Sequence, residues 1–161
     1  MRTLYIIRHA KSSWTYKHLD DYDRPLGVRG RNDVLRMAKF LSKEISAPEK
    51  IVSSPASRAF YTALFLADAW GVQEELVELE AGLYHADEEE IIDIIMGQSA
   101  EILAITGHNP GFTDLVNELT NTSLSNLPTC GVFGISFDID DWSEVEIGKG
   151  KQLFYYTPKS V

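Results

Sequence analysis

Thr3-Leu4-Tyr5-Ile6-Ile7, followed at once by Arg8-His9-Ala10-Lys11-Ser12, decides how the rest of this 161-residue chain is read. The first five residues are β-branched or apolar without a polar partner at alternate positions, the pattern of a strand buried on both faces. A polar loop follows, through Asp20-Asp21-Tyr22-Asp23-Arg24-Pro25. From about Gly30 to Ile45, the apolar residues Val34, Ala38, Leu41 and Ile45 recur at helical spacing. Lys50–Ser53 is a second short strand ending in Ser54-Pro55. Ser57–Trp70 reads as a helix stopped by Gly71.

The alternation continues. Glu75–Leu79 is expected to form a strand. Asp87 is expected to cap a helix that runs to Met96, with Glu90 completing a capping box. Glu101–Thr106 is another buried strand, and Pro110 stands where the helix over Phe112–Leu119 begins. Val132–Ile139 and Gln152–Tyr156 are late strands joined by an acidic turn. Strands alternating with helices predict an α/β fold, a mostly parallel sheet with helices on both faces, and a single domain over 1–161.

Composition narrows the function classes. The formal charge of −9 argues against coating nucleic acid or an anionic membrane. The one cysteine, Cys130, permits no intrachain disulfide, and no stretch resembles a leader or a membrane span, so a cytoplasmic location is expected. The charge is uneven. Residues 1–58 hold 12 of the 15 Lys+Arg, whereas residues 59–148 hold 18 acids and neither Lys nor Arg. An anion must therefore be held by the N-terminal third.

Ligands of open α/β sheets gather beyond the carboxyl ends of the strands. Those ends here are Arg8-His9-Ala10-Lys11-Ser12, Ser53-Ser54-Pro55-Ala56-Ser57-Arg58 and Gly107-His108-Asn109-Pro110-Gly111. Two arginines and two of the four histidines thus fall at strand ends. There is no cysteine cluster or His-x-x-x-His pair for a metal, and no Gly-rich loop ending in Gly-Lys-Ser/Thr for a nucleotide. Guanidinium groups match phosphate oxygens with fixed pairs of donors and do not deprotonate. At an effective dielectric of about 20, one charge pair 4 Å apart contributes roughly 4 kcal/mol. An imidazole among them can serve as nucleophile.

These three motifs, with Ala59, Tyr61, Thr62 and Ala63 after the second, resemble the histidine phosphatase superfamily, which includes the cofactor-dependent phosphoglycerate mutases. The short length and Arg24-Pro25-Leu26-x-x-x-Gly30 resemble its SixA-type phosphohistidine phosphatases most. The resemblance implies a phosphoglycerate mutase-like fold and a phosphatase that needs neither metal nor organic cofactor. It makes His9 the transiently phosphorylated residue, Arg8 and Arg58 the phosphoryl-binding arginines, and His108 the second pocket histidine. The family's first motif is usually Arg-His-Gly; Ala10 departs from it, which bears on the loop amides rather than on His9. The proton donor stays open between Glu80, in the region where the mutase-like branch carries a glutamate, and Asp21, beside the Arg24-Pro25-Leu26 segment. His85 is either a pocket residue or a loop cap, and His18 is expected in a loop. The expected partner is a phosphorylated substrate, either phosphohistidine in a protein or a small phosphomonoester. A non-catalytic phosphoryl-binding module is the reading from another class.

Overall fold

In a computed structural model that describes all of residues 1–161, the first strand, β1 (Arg2–Arg8), lies at the centre of the molecule. Its alternate side chains enter two separate cores, as a strand buried on both faces requires. Leu4 and Ile6 join one apolar cluster, Tyr5 and Ile7 the other. Six strands make one sheet in the order β3 (Val77–Leu79), β2 (Lys50–Ser53), β4 (Ile102–Gly107), β1, β5 (Val132–Phe137), β6 (Lys151–Tyr156). The β3, β2, β4 and β1 pairings are parallel, while β5 and β6 add antiparallel strands at one edge.

Helices cover both faces. Val34, Met37, Ala38 and Leu41 of α1 (Val28–Glu44) pack in the Tyr5/Ile7 core with Ala63, Leu66 and Ala67 of α2 (Ser57–Trp70). Ile91 and Ile95 of α3 (Glu88–Met96) and Phe112, Leu115, Val116 and Leu119 of α4 (Gly111–Thr120) fill the Leu4/Ile6 core. The expected stops and caps form: Gly71 ends α2 at φ 74°, and Asp87 with Glu90 makes a capping box on α3. No helix is long and apolar enough to cross a membrane.

Element ends differ from expectation where local pattern is weak. α1 begins at Val28, because Gly27 takes the capping position before Gly30 is reached. Gly30 is needed for another reason: a Cβ there would lie 1.9 Å from the Lys11 carbonyl oxygen. The expected Glu75–Leu79 strand shortens to Val77–Leu79, its first residues being taken by a 3-10 turn over Glu74–Leu76. The Val132 strand ends at Phe137 rather than Ile139.

Candidate active site

Sheet register assembles the site. Arg8 pairs with Gly107 across β1 and β4, so His9 and His108 leave neighbouring strands at the same level. Their rings lie 5.1 Å apart between centroids, and the His9 amide donates to the Gly107 carbonyl at 3.0 Å. On the other side of β4, Ser53 pairs with Thr106, which puts Ser54 beside His108. Ser54 Oγ and His108 Nε2 are 2.8 Å apart. Arg58 enters from the first turn of α2.

His9 Nδ1 lies 2.7 Å from the Ala10 carbonyl oxygen. A carbonyl only accepts, so the proton of the neutral ring sits on Nδ1, and Nε2 keeps its lone pair. Burial pushes His9 down to about 3, with His108, Arg58 and Arg8 acting the same way and the Ala10 hydrogen bond opposing them. Burial, followed by Arg58, brings His108 down to about 4. Both imidazoles are therefore neutral at pH 7. Ala10 does not strain the loop, since it is absent from the residues of positive φ. Its amide donates to Thr62 Oγ1 at 3.0 Å, and that hydroxyl donates to the Arg58 carbonyl at 2.7 Å, tying the His9 loop to α2.

A second layer comes from the loop after β1. Lys11–Ser13 runs beside Pro25–Gly27 through Ser13 N to Pro25 O at 2.8 Å and Gly27 N to Lys11 O at 3.0 Å. This pairing carries Asp21 and Arg24 over the cleft. Asp21 Oδ2 accepts from Arg58 Nη2 at 2.9 Å and from the Tyr84 hydroxyl at 2.8 Å, while its Oδ1 accepts from Arg24 Nη2 at 2.7 Å. The Asp21 carbonyl also accepts from Arg58 Nη1 at 2.6 Å. Partial burial pulls the Asp21 carboxyl upward, but hydrogen bonds from Arg24, Tyr84 and Arg58 outweigh it and hold the group below the usual carboxylate range. Arg24 is buried, bonds Ser12 Oγ with Nη1, and lies 3.7 Å from the centroid of the Trp14 ring.

The resulting cleft, about 280 Å³, is lined by Arg8, His9, Asp21, Arg58, His85 and His108, with Lys11, Ser12, Trp14, Arg24, Asn109 and Thr129 completing its walls. Arg8 Nη1 donates to the Leu127 carbonyl at 3.0 Å, and Arg58 is held by Asp21, so both guanidinium groups are fixed at the cleft wall. Guanidinium groups beside a neutral imidazole with a free lone pair suit an anion that exposes an electrophilic centre. A larger cleft of about 550 Å³ lies elsewhere, among Glu89, Asp93, Glu146 and four apolar side chains, and offers no cation. No group of three or more His, Cys, Asp or Glu is arranged to hold a metal ion.

The structure thus brings together Arg8, His9, Asp21, Arg58 and His108. It does not bring Glu80 to them: that carboxylate caps a 3-10 turn by accepting from the Gly82 amide at 3.1 Å and does not line the cleft. Asp21 is present as an ionised clamp, which is the wrong protonation state for a donor. His85 lines the cleft, its ring tilted 42° against Tyr84 with centroids 4.0 Å apart, whereas His18 is an exposed loop residue. Sequence reasoning missed Trp14 and Tyr84 and gave Arg24 no role. For Arg24, the available signal was the Arg24-Pro25-Leu26 segment itself.

Comparison with known proteins bears on family and fold. The model of the histidine phosphatase superfamily (branch 1) matches residues 4–109, from β1 through the Gly107-His108-Asn109 turn. An uncharacterised chloroplast protein of Arabidopsis thaliana is 30% identical over 159 residues, spanning 89% of this chain and 70% of its own length. Among solved structures, SixA of Agrobacterium tumefaciens has a TM-score of 0.83 at 22% identity, with 98% of each chain covered. The protein histidine phosphatase SixA complexed with tungstate has a TM-score of 0.81 at 20% identity, covering 98% of this chain and 97% of that one. At such identities the two structures establish the fold, which is phosphoglycerate mutase-like.

Proposed function

The chain belongs to the histidine phosphatase superfamily and is a phosphatase, and we propose that it carries the phosphoryl group transiently on His9, with phosphohistidine in a protein as substrate. In this reading residues 1–161 form one histidine phosphatase domain, and the enzyme acts in the cytoplasm, a compartment suited to a chain with a single cysteine.

The observation that carries the proposal is the His9 Nδ1 contact with the Ala10 carbonyl at 2.7 Å, which leaves Nε2 unprotonated in a cleft that Arg8, Arg58 and His108 also line. The Nε2 lone pair attacks phosphorus, and the bond from phosphorus to the leaving nitrogen breaks. That nitrogen keeps the electron pair and takes one proton from solvent. Arg8 and Arg58 hold the phosphoryl oxygens and offset their charge through the transfer. While the ring is phosphorylated, its Nδ1–H remains bonded to Ala10, which steadies the positive charge on the imidazole. Water then adds to phosphorus, the P–N bond to His9 breaks, and Nε2 regains its lone pair as dihydrogen phosphate leaves.

An imidazole leaving group fits this cleft better than an alkoxide. Departure of an alkoxide needs an acid, whereas Asp21 is ionised and Glu80 lies outside. His85, exposed at the cleft, is the observation that favours the competing reading, a small phosphomonoester whose leaving oxygen it protonates. A structural neighbour, the protein histidine phosphatase SixA, is complexed with tungstate, which supports an oxyanion as ligand.

Two measurements test the proposal. Labelled phosphate should be trapped on the protein under an acid-avoiding quench and be lost in His9→Ala; absence of label would instead indicate a phosphoryl-binding module. Phosphohistidine should turn over faster than p-nitrophenyl phosphate and sugar phosphates. If sugar phosphates win, the substrate reading fails while the phosphatase assignment stands.

A further inference from the structure

One residue of the cleft has no part in the phosphoryl chemistry described above. Trp14 is 68% exposed, yet its ring is not free. The Arg24 guanidinium lies 3.7 Å from the ring centroid, and Arg24 is itself buried and bonded to Ser12 Oγ and to Asp21 Oδ1. A guanidinium fixed at both ends gives the indole a footing that an ordinary surface tryptophan lacks. The ring is thus a positioned plane at the wall of the cleft, with much of its surface still open to water. The Asp21 that fixes Arg24 also holds Arg58, so the plane is built into the same framework as the phosphoryl-binding arginine.

We propose that Trp14, on its Arg24 footing, forms a subsite for a planar aromatic leaving group, the ring from which the phosphoryl group is taken. Charge favours this occupant. With a cation already against the indole, a second cation there meets like-charge repulsion, whereas a neutral ring stacks without it. Size agrees as well. The cleft volume of about 280 Å³ holds a phosphoryl group and one five- or six-membered ring, with the remainder of a protein substrate left outside. The subsite rests on the phosphatase reading of the cleft, but it requires only that the leaving group be flat, whether imidazole or aryl.

The test compares Trp14→Ala and Trp14→Phe with the unsubstituted protein on phosphoimidazole, an aryl phosphate and an alkyl phosphate. In Trp14→Ala, kcat/KM for both ring-bearing substrates relative to the alkyl phosphate should fall about tenfold, chiefly through KM. Trp14→Phe, which keeps a ring, should recover part of that ratio. If all three substrates fall together with the loss in kcat, Trp14 merely props Arg24, and the subsite is overturned. An unchanged ratio overturns it equally. If phosphoimidazole is not hydrolysed but the aryl-to-alkyl ratio still depends on Trp14, the phosphohistidine reading fails and the subsite stands.

Discussion

Two clefts of this molecule differ in opposite ways from what size alone would suggest. The larger, about 550 Å³, has Ile92, Leu119, Val145 and Ile147 for its apolar surface and Glu89, Asp93 and Glu146 for its charge. The smaller, about 280 Å³, is almost wholly polar. Apolar volume is the usual mark of a ligand site, yet the chemistry gathers in the smaller one. The reason lies in the charge each cleft presents. The larger offers only carboxylates, whereas the smaller gathers Arg8, Arg24 and Arg58 around two neutral imidazoles. Charge along the chain enforces the division, because residues 59–148 contain no Lys or Arg to place in the larger cleft. At physiological salt the screening length is about 8 Å, so exposed acids beyond that distance do little to an anion held between Arg8 and Arg58.

Removing the guanidinium that most clearly separates the two clefts should have the largest effect. Arg58→Ala is expected to lower kcat by about a hundredfold or more, as loss of a transition-state charge partner does; a fall of less than about tenfold would take Arg58 out of the reaction. Asp21→Asn should cost about tenfold by loosening Arg58 and Arg24, and it should do so equally for good and poor leaving groups. A loss concentrated on poor leaving groups would make Asp21 the acid after all. Glu80→Gln, outside the cleft, should stay within about twofold on the same substrates.

A similarly small effect is expected from pH. Burial keeps His9 neutral down to about 3, below the usual 6.5, so the nucleophile is fully available at pH 5. Corrected for substrate ionisation, kcat/KM at pH 5 should remain within about threefold of its value at pH 7, where a nucleophile of ordinary pKa would lose about 25-fold. An acid limb near pH 6.5 would refute the neutral, carbonyl-anchored imidazole. The same shifts bear on stability. His9 and His108 titrate lower in the folded chain than in the unfolded one, so their contribution is complete above about pH 6.5. It is lost as pH falls toward 4 and then 3.

Much of the fold was legible because the strongest signals were local. The apolar run Leu4–Ile7, the Gly71 stop and the Asp87–Glu90 box each involve neighbours in sequence, and each forms where the pattern puts it. The Glu75–Leu79 strand was overextended because its glutamates carry little strand preference and a 3-10 turn competes for the first of them. In the site, Asp21 was recognisable as an acid beside Arg24-Pro25-Leu26, but its protonation state was not. That state depends first on Arg24, three positions away, and then on Tyr84, 63 positions away, and Arg58, 37 positions away, neither of which the local sequence reveals. Glu80 was a reasonable donor by location, and only the path of the chain after β3 shows that it turns to the Gly82 amide.

By itself, the sequence determined the alternating strands and helices and the residue types at three strand ends, Arg8-His9, Arg58 and His108. The chain direction of a parallel strand fixes where its last residue points, so local periodicity suffices to place such groups at one edge of the sheet. The tertiary structure decided the rest: which nitrogen of His9 is free, that Asp21 is an ionised clamp, that Arg24 anchors Trp14, and that Glu80 stands aside. Those properties come from hydrogen bonds and burial between segments far apart in the chain, and a protonation state or a ring position has no existence until those segments meet.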